Sequence, residues 1–173
     1  DATTGAQLWA EQYDDDLGDI LDVQERIARR VAGTLAANLQ QIALQQSLRK
    51  PTDNLDAYDL MLRGRALAAD ATRAGNRVAR EMLERAMHAA PGYADVHAEL
   101  ADLTFQRVTS GWSEFAQQDL DNAIRYAQKA VDLDPENVLG HSVLARIYAA
   151  VQKYELALAE AERALAINPS DAE

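Results

Sequence analysis

The chain has no cysteine, which excludes disulfide scaffolds, Cys-ligated zinc, iron–sulfur clusters and thiol catalysis. Histidine is scarce, limited to His88, His97 and His141, and leaves little room for an imidazole-based metal site. The eight glycines form neither G-x-G-x-x-G nor G-x-x-x-x-G-K-[ST], so neither kind of phosphate-cradling loop is encoded. There is no H-E-x-x-H or H-x-E, and none of Ser47, Ser110, Ser113, Ser142 and Ser170 sits in a nucleophile elbow. Positive charge is also short: 17 Lys and Arg against 28 Asp and Glu leave a net charge of −11, which argues against non-specific nucleic-acid binding. Long apolar runs are missing too. The longest uncharged stretch, 31–48, carries Thr34, Asn38, Gln40, Gln41, Gln45, Gln46 and Ser47, too polar for a membrane span.

What remains is helical in character. Hydrophobic residues make up 48% of the chain but aromatics only 6%, so the apolar mass is mainly Ala and Leu, as in packed helices. At 173 residues, and roughly 100–200 per domain, one domain or one plus a piece is expected. The chain opens on Asp1 with no initiator Met, basic n-region or apolar h-region, which suggests a soluble, cytoplasmic fragment or processed product. Charge is uneven. Residues 1–22 hold seven acids and no base, 26–85 eleven bases against six acids, and 86–173 six bases against fourteen acids. Solvated helix faces account for this better than an Arg-rich anion site does, because the basic residues fall at irregular spacing. Asp14-Asp15-Asp16 reads as a solvated turn rather than a cation site. No metal, cofactor or catalytic residue is expected.

Three segments end alike: Leu83 to Pro91, Ala127 to Pro135 and Ala161 to Pro169. Each is an apolar-periodic helix with an Ala five residues before a stopping Pro. The prolines are 44 and 34 residues apart. Upstream, Lys50-Pro51-Thr52-Asp53-Asn54 is a break, with Asp53 or Asn54 available to cap the next helix. Before it, Ile20, Val23, Ile27, Val31, Leu35, Leu39 and Ile42 recur at steps of three or four, predicting one long amphipathic helix over about 18–48. Leu8 to Tyr13 alternates, with Trp9 and Tyr13 on one face, and predicts a single strand.

Residues 57–169 resemble three tetratricopeptide repeats, whose period is 34 residues. The third, counted from Val138, places Leu144 and Ala145 at positions 7 and 8, Tyr148 at 11, Ala157 at 20, Ala161 at 24, Ala164 at 27 and Pro169 at 32. His141 stands at position 4, where the family usually has Trp. The second, from Ala94, matches His97, Leu100 and Ala101, then Ala123, Ala127, Ala130 and Pro135 after about ten residues inserted around Val108 to Ala116. The first matches Ala79, Leu83, Ala86 and Pro91, with Gly64 and Leu67 at 8 and 11 if about three residues are inserted, which puts Arg63 at position 7. Small residues at 8, 20 and 27 let paired helices approach closely, and both histidines are expected to pack where the aromatic would.

The upstream segment resembles the end of a TolB-like domain, most distinctively in Leu8-Trp9-Ala10-Glu11 and in the helix start from Asp19 to Ile27. The implied organisation is a TolB-like remnant over 1–50 (strand about 8–13, long helix about 18–48). Repeats would follow over 51–173, at about 57–91, 94–135 and 138–169. In bacteria that pairing occurs behind class III adenylate or guanylate cyclase domains, or winged-helix DNA-binding domains, and most of the sheet would precede Asp1.

The expected architecture is therefore all-α: a helical-hairpin solenoid preceded by a long amphipathic helix and one orphan strand. The expected role is a non-catalytic protein- or peptide-binding and assembly module of a bacterial signalling protein. Within such a protein the resemblance implies a cyclase-associated regulatory region; the alternative is the ligand- or partner-sensing half of a winged-helix transcription regulator, and an autonomous enzyme is disfavoured. By repeat arithmetic, Asp95, Ala98, Asp102 and Phe105, with Leu139, Ser142, Arg146 and Ala149, line the concave groove. Trp112, on the inserted loop, is expected to tuck back over the junction of the repeat's two helices; the functional alternative is a ligand anchor beside the groove. No Lys/Asn carboxylate clamp is present. The strand edge at 8–13 and the uncapped last repeat raise the expectation of a homodimer.

Overall fold

The computed structural model describes residues 28, 31, 35, 39–48 and 56–168, all the regular structure among them helical. The expected strand at 8–13, and the rest of the expected long helix, lie outside the described residues. The chain divides into Asp1–Asn38 and Leu39–Glu173. In the first unit Ala28, Val31 and Leu35 are helical. In the second, helix α1 covers 39–48, followed by α2 (Ala57–Ala69), α3 (Arg73–Ala89), α4 (Ala94–Thr109), α5 (Ala116–Leu133), α6 (Val138–Ala150) and α7 (Tyr154–Ile167).

Local chemistry sets these boundaries. Asp56, rather than Asp53 or Asn54, caps α2 by accepting from the Asp59 amide at 2.9 Å. Thr72 caps α3 through the Gly75 amide, and Asn137 caps α6 through the Gly140 amide at 2.8 Å. Such caps satisfy donors that the helix itself leaves unpaired. Helices α3 and α5 stop just before Pro91 and Pro135, each of which would remove a donor and clash with the preceding turn.

The helices pair as hairpins α2–α3, α4–α5 and α6–α7, and α4 packs against both α2 and α6. The insertion in the second hairpin is largely absorbed by its helices. Val108 and Thr109 close α4, Ala116 opens α5, and only 110–115 remain as loop.

Two core clusters run through this stack. One joins Leu60, Met61, Leu62, Ala79, Leu83, Ala86, Val96, Leu100 and Leu103, with Ala43 and Leu44 of α1 packed against it. The other joins Ala101, Phe105, Ala123, Ala127, Val143, Leu144 and Ile147. Position 7 of the repeat is a buried Leu at both Leu100 and Leu144. Arg63, at the same position, is buried as well. Its Nε donates to Ser47 Oγ at 3.2 Å and its Nη2 to the Ser47 carbonyl. Helix α1 lies over this face, so a guanidinium there meets oxygen acceptors instead of a second apolar layer.

Both repeat histidines are buried, as expected, and use the same bond. His97 Nε2 lies 2.8 Å from the Pro91 carbonyl, and His141 Nε2 lies 3.0 Å from that of Pro135. Each ring thus ties a helix to the end of the hairpin before it.

Candidate functional site

The first helix of each hairpin, α2, α4 and α6, brings polar groups together around α4. Its carboxylates at 95, 99 and 102 recur at steps of four and three, which places them on one helix face. Each is tied to a different neighbour. Asp95 accepts from the Asn137 amide group at 2.7 Å. Glu99 accepts from Arg65 Nε at 2.5 Å, and Arg65 also reaches Gln40 of α1 at 3.3 Å. Asp102 is paired with Arg146, whose guanidinium carbon lies 5.8 Å from the centre of the Phe105 ring. The Asp102–Arg146 pair is exposed enough for solvent to weaken it, and so for a partner's charges to compete with it.

The sequence-derived groove residues divide by exposure. Asp102, Phe105 and Arg146 come together as described. Asp95, Leu139 and Ser142 are half-buried and Ala149 is exposed. Ala98 is 0% exposed and Phe105 7%, so Ala98 offers no surface to a ligand. Repeat arithmetic missed Arg65 and Glu99. Their signal is weak, because a buried acid at position 6 makes sense only once the Arg on the preceding hairpin is known.

Burial raises the Glu99 carboxyl above the ordinary glutamate value. Arg65 opposes the shift, while Asp102 and Asp95 add to it. A raised folded-state pKa means the folded chain holds this proton to higher pH than the unfolded chain does. The associated stability is full below the ordinary glutamate range and is lost as pH rises through the raised value. Glu99→Gln is therefore expected to flatten the stability profile from the ordinary glutamate range upward. Urea midpoints of both proteins across that range check this, and parallel profiles would count against it.

Trp112 lies elsewhere. It lines a pocket of about 580 Å³ with Arg73, Asn76, Arg77, Arg80, Arg107 and Glu114. The α4 C-terminus sets its position. Gly111 adopts φ +69°, its amide donates to the Val108 carbonyl at 3.1 Å, and the Trp112 amide donates to the Arg107 carbonyl at 3.0 Å. This is a Schellman closure, and a left-handed residue at that point favours glycine. Beyond it, Ser113 Oγ donates to Asp119, which also pairs with Arg107 at 2.8 Å. Asn76 bonds the Leu103 carbonyl and Gln106, each at 3.0 Å, fixing α3 against the end of α4. Three of the basic residues of 26–85, Arg73, Arg77 and Arg80, are thus gathered in space with Arg107. Their signal was the i, i+4, i+7 run of Arg73, Arg77 and Arg80 on α3.

Residues 114–173 match the tetratricopeptide repeat family. The chain is 34% identical over 147 residues to "Putative adenylate cyclase 3" of Rhizobium meliloti (strain 1021), an alignment covering 84% of this chain. It spans only 25% of that relative's length. Among solved structures, the crystal structure of MamA superposes with a TM-score of 0.51 at 16% identity, covering 92% of this chain and 99% of the other. The tetratricopeptide match is thus confined to residues 114–173, while the likeness to the solved structure is one of fold, a stack of helical hairpins. Among the described residues no helix is long and apolar enough to cross a membrane.

Proposed function

We propose that this chain is a non-catalytic protein- or peptide-binding and assembly module. In this reading it is a cytoplasmic, cyclase-associated regulatory region of a larger bacterial signalling protein. The observation that carries the binding role is the α4 face, where Asp102, Arg146 and Phe105 present paired charges over an aromatic ring. The stacked first helices of the hairpins make an extended surface suited to a peptide or helix, read by shape and a few charges. The relative named as an adenylate cyclase favours the cyclase context over a winged-helix regulator. Residues 1–50 are read as the end of a TolB-like domain and 51–173 as three repeats, at about 57–91, 94–135 and 138–169. Self-association as a homodimer belongs to the same proposal. Helix α7 packs on α6 alone among the described helices and leaves Tyr154, Leu158 and Leu165 exposed.

The test is selection of binders to this chain from a displayed random-peptide library. Asp102→Arg or Arg146→Glu is expected to weaken the selected peptides about tenfold, or roughly 1.4 kcal/mol. The double charge swap should recover part of the loss, with helicity by circular dichroism unchanged throughout. Peptides that bind all variants equally, or a selection that yields none, would refute the groove.

A further inference from the structure

We propose that the pocket beside Trp112 binds a small planar phosphate ester of the mononucleotide class, at a site distinct from the α4 face. Its volume of about 580 Å³ falls within the roughly 300–1,000 Å³ usual for small-ligand sites. Its walls combine two chemistries. Arg73, Arg77 and Arg80 stand along one edge of α3 and Arg107 comes from the last turn of α4, four guanidinium groups in a chain whose net charge is −11. Trp112 adds an indole, held by the closure at Gly111.

The cations differ in how far they are already engaged. Arg107 is held by Asp119, whose side chain is 7% exposed, and its own Nε is buried with no hydrogen-bond partner among the described residues. Arg80 bonds Glu84 at 2.7 Å. Arg77 pairs with Glu81 at 2.9 Å, but with side chains 71% and 61% exposed that pair is weak. Arg73 makes no hydrogen bond or ion pair among the described residues, and no acid stands in the first turn of α3. A cation there opposes the positive end of the helix dipole, a conflict that a bound anion removes.

Arg73 and Arg77 are therefore the groups assigned to the phosphate. Guanidinium forks suit phosphate oxygens, and flat guanidinium and indole faces stack on a planar ring. Glu114, the acid in the lining, supplies an acceptor for a base or sugar donor, which favours a nucleotide over bare phosphate.

The experiment uses the full chain carrying Trp9→Phe, so that Trp112 is the sole indole, titrated by fluorescence at low salt. Probes are AMP, adenosine, inorganic phosphate and a phosphoserine peptide. AMP is expected to give saturable quenching at least about tenfold tighter than adenosine or phosphate. Arg73→Gln with Arg77→Gln should remove most of that affinity without loss of helicity. Calorimetry on Trp112→Ala should show AMP reduced to the affinity of phosphate. AMP equal to phosphate with Trp112 intact would overturn the planar subsite. A phosphopeptide tighter than AMP would make the site one for a macromolecule, and no response to any probe would overturn the pocket altogether.

Discussion

Leu83→Ala is expected to lower the stability of this chain by about 2–5 kcal/mol, the range for emptying a packed leucine site. Leu83 is 0% exposed and sits in the core that joins α2, α3 and α4. The site also has an uncommon neighbour. A Cβ added at Gly64 would lie 2.8 Å from Leu83 Cγ, closer than such atoms come in folded proteins, and 3.0 Å from its Cδ2. Gly64 is thus the hollow into which Leu83 fits, and the two positions are coupled. Gly64→Ala alone gains roughly 1 kcal/mol of helix propensity but must displace Leu83, an overpacking that typically costs about 1–3 kcal/mol. In the Leu83→Ala background both leucine contacts are gone and only the Ala79 carbonyl oxygen, 3.3 Å away, still crowds the added methyl, so the same change is expected to cost less there. A double-mutant cycle in urea measures this directly. If Gly64→Ala has the same effect in both backgrounds, the packing between α2 and α3 is not as described.

This pair also shows what could be read from the sequence. Gly64 and Leu83 stand at repeat positions 8 and 24, and their proximity follows from the repeat alone. The helix stops at Pro91 and Pro135 were equally legible, since proline acts locally. The buried His97 and His141 were legible as packing residues, though not their bonds to the proline carbonyls. Contacts between segments unlike each other were not. Ser47 with Arg63 depends on α1 lying over α2, which no periodicity announces, so Arg63 looked only like a departure from pattern. The α4 carboxylates were partly legible: Asp95 and Asp102 by register, but not Glu99, whose partner Arg65 belongs to the preceding hairpin. The arginine pocket needed two pieces of information at once. One face of α3 was readable from spacing; the fold of an inserted loop against it was not.

The same repeat position should respond differently in successive hairpins, and Ala123 against Ala157 gives the comparison. Both stand at position 20, where a small residue lets the paired helices approach. Ala79 and Ala123 are 0% exposed, whereas Ala157 is half-buried. The reason lies in the neighbours: α5 is packed between α4 and α6, while α7 meets only α6 among the described helices. A leucine at 123 has no free volume to enter, because Phe105, Val143 and Leu144 fill the same cluster. Ala123→Leu is therefore expected to cost about 1–3 kcal/mol. At 157 the added atoms can turn toward solvent, and α7 can shift without disturbing a helix beyond it. Ala157→Leu should cost well under half as much. The two hairpins share α6, so the two losses should add when combined only if α7 yields without passing the strain on. Urea midpoints of both single variants and the double variant test this. Equal losses at 123 and 157 would mean that α7 is as tightly enclosed as α5, and the description of the last hairpin would fail.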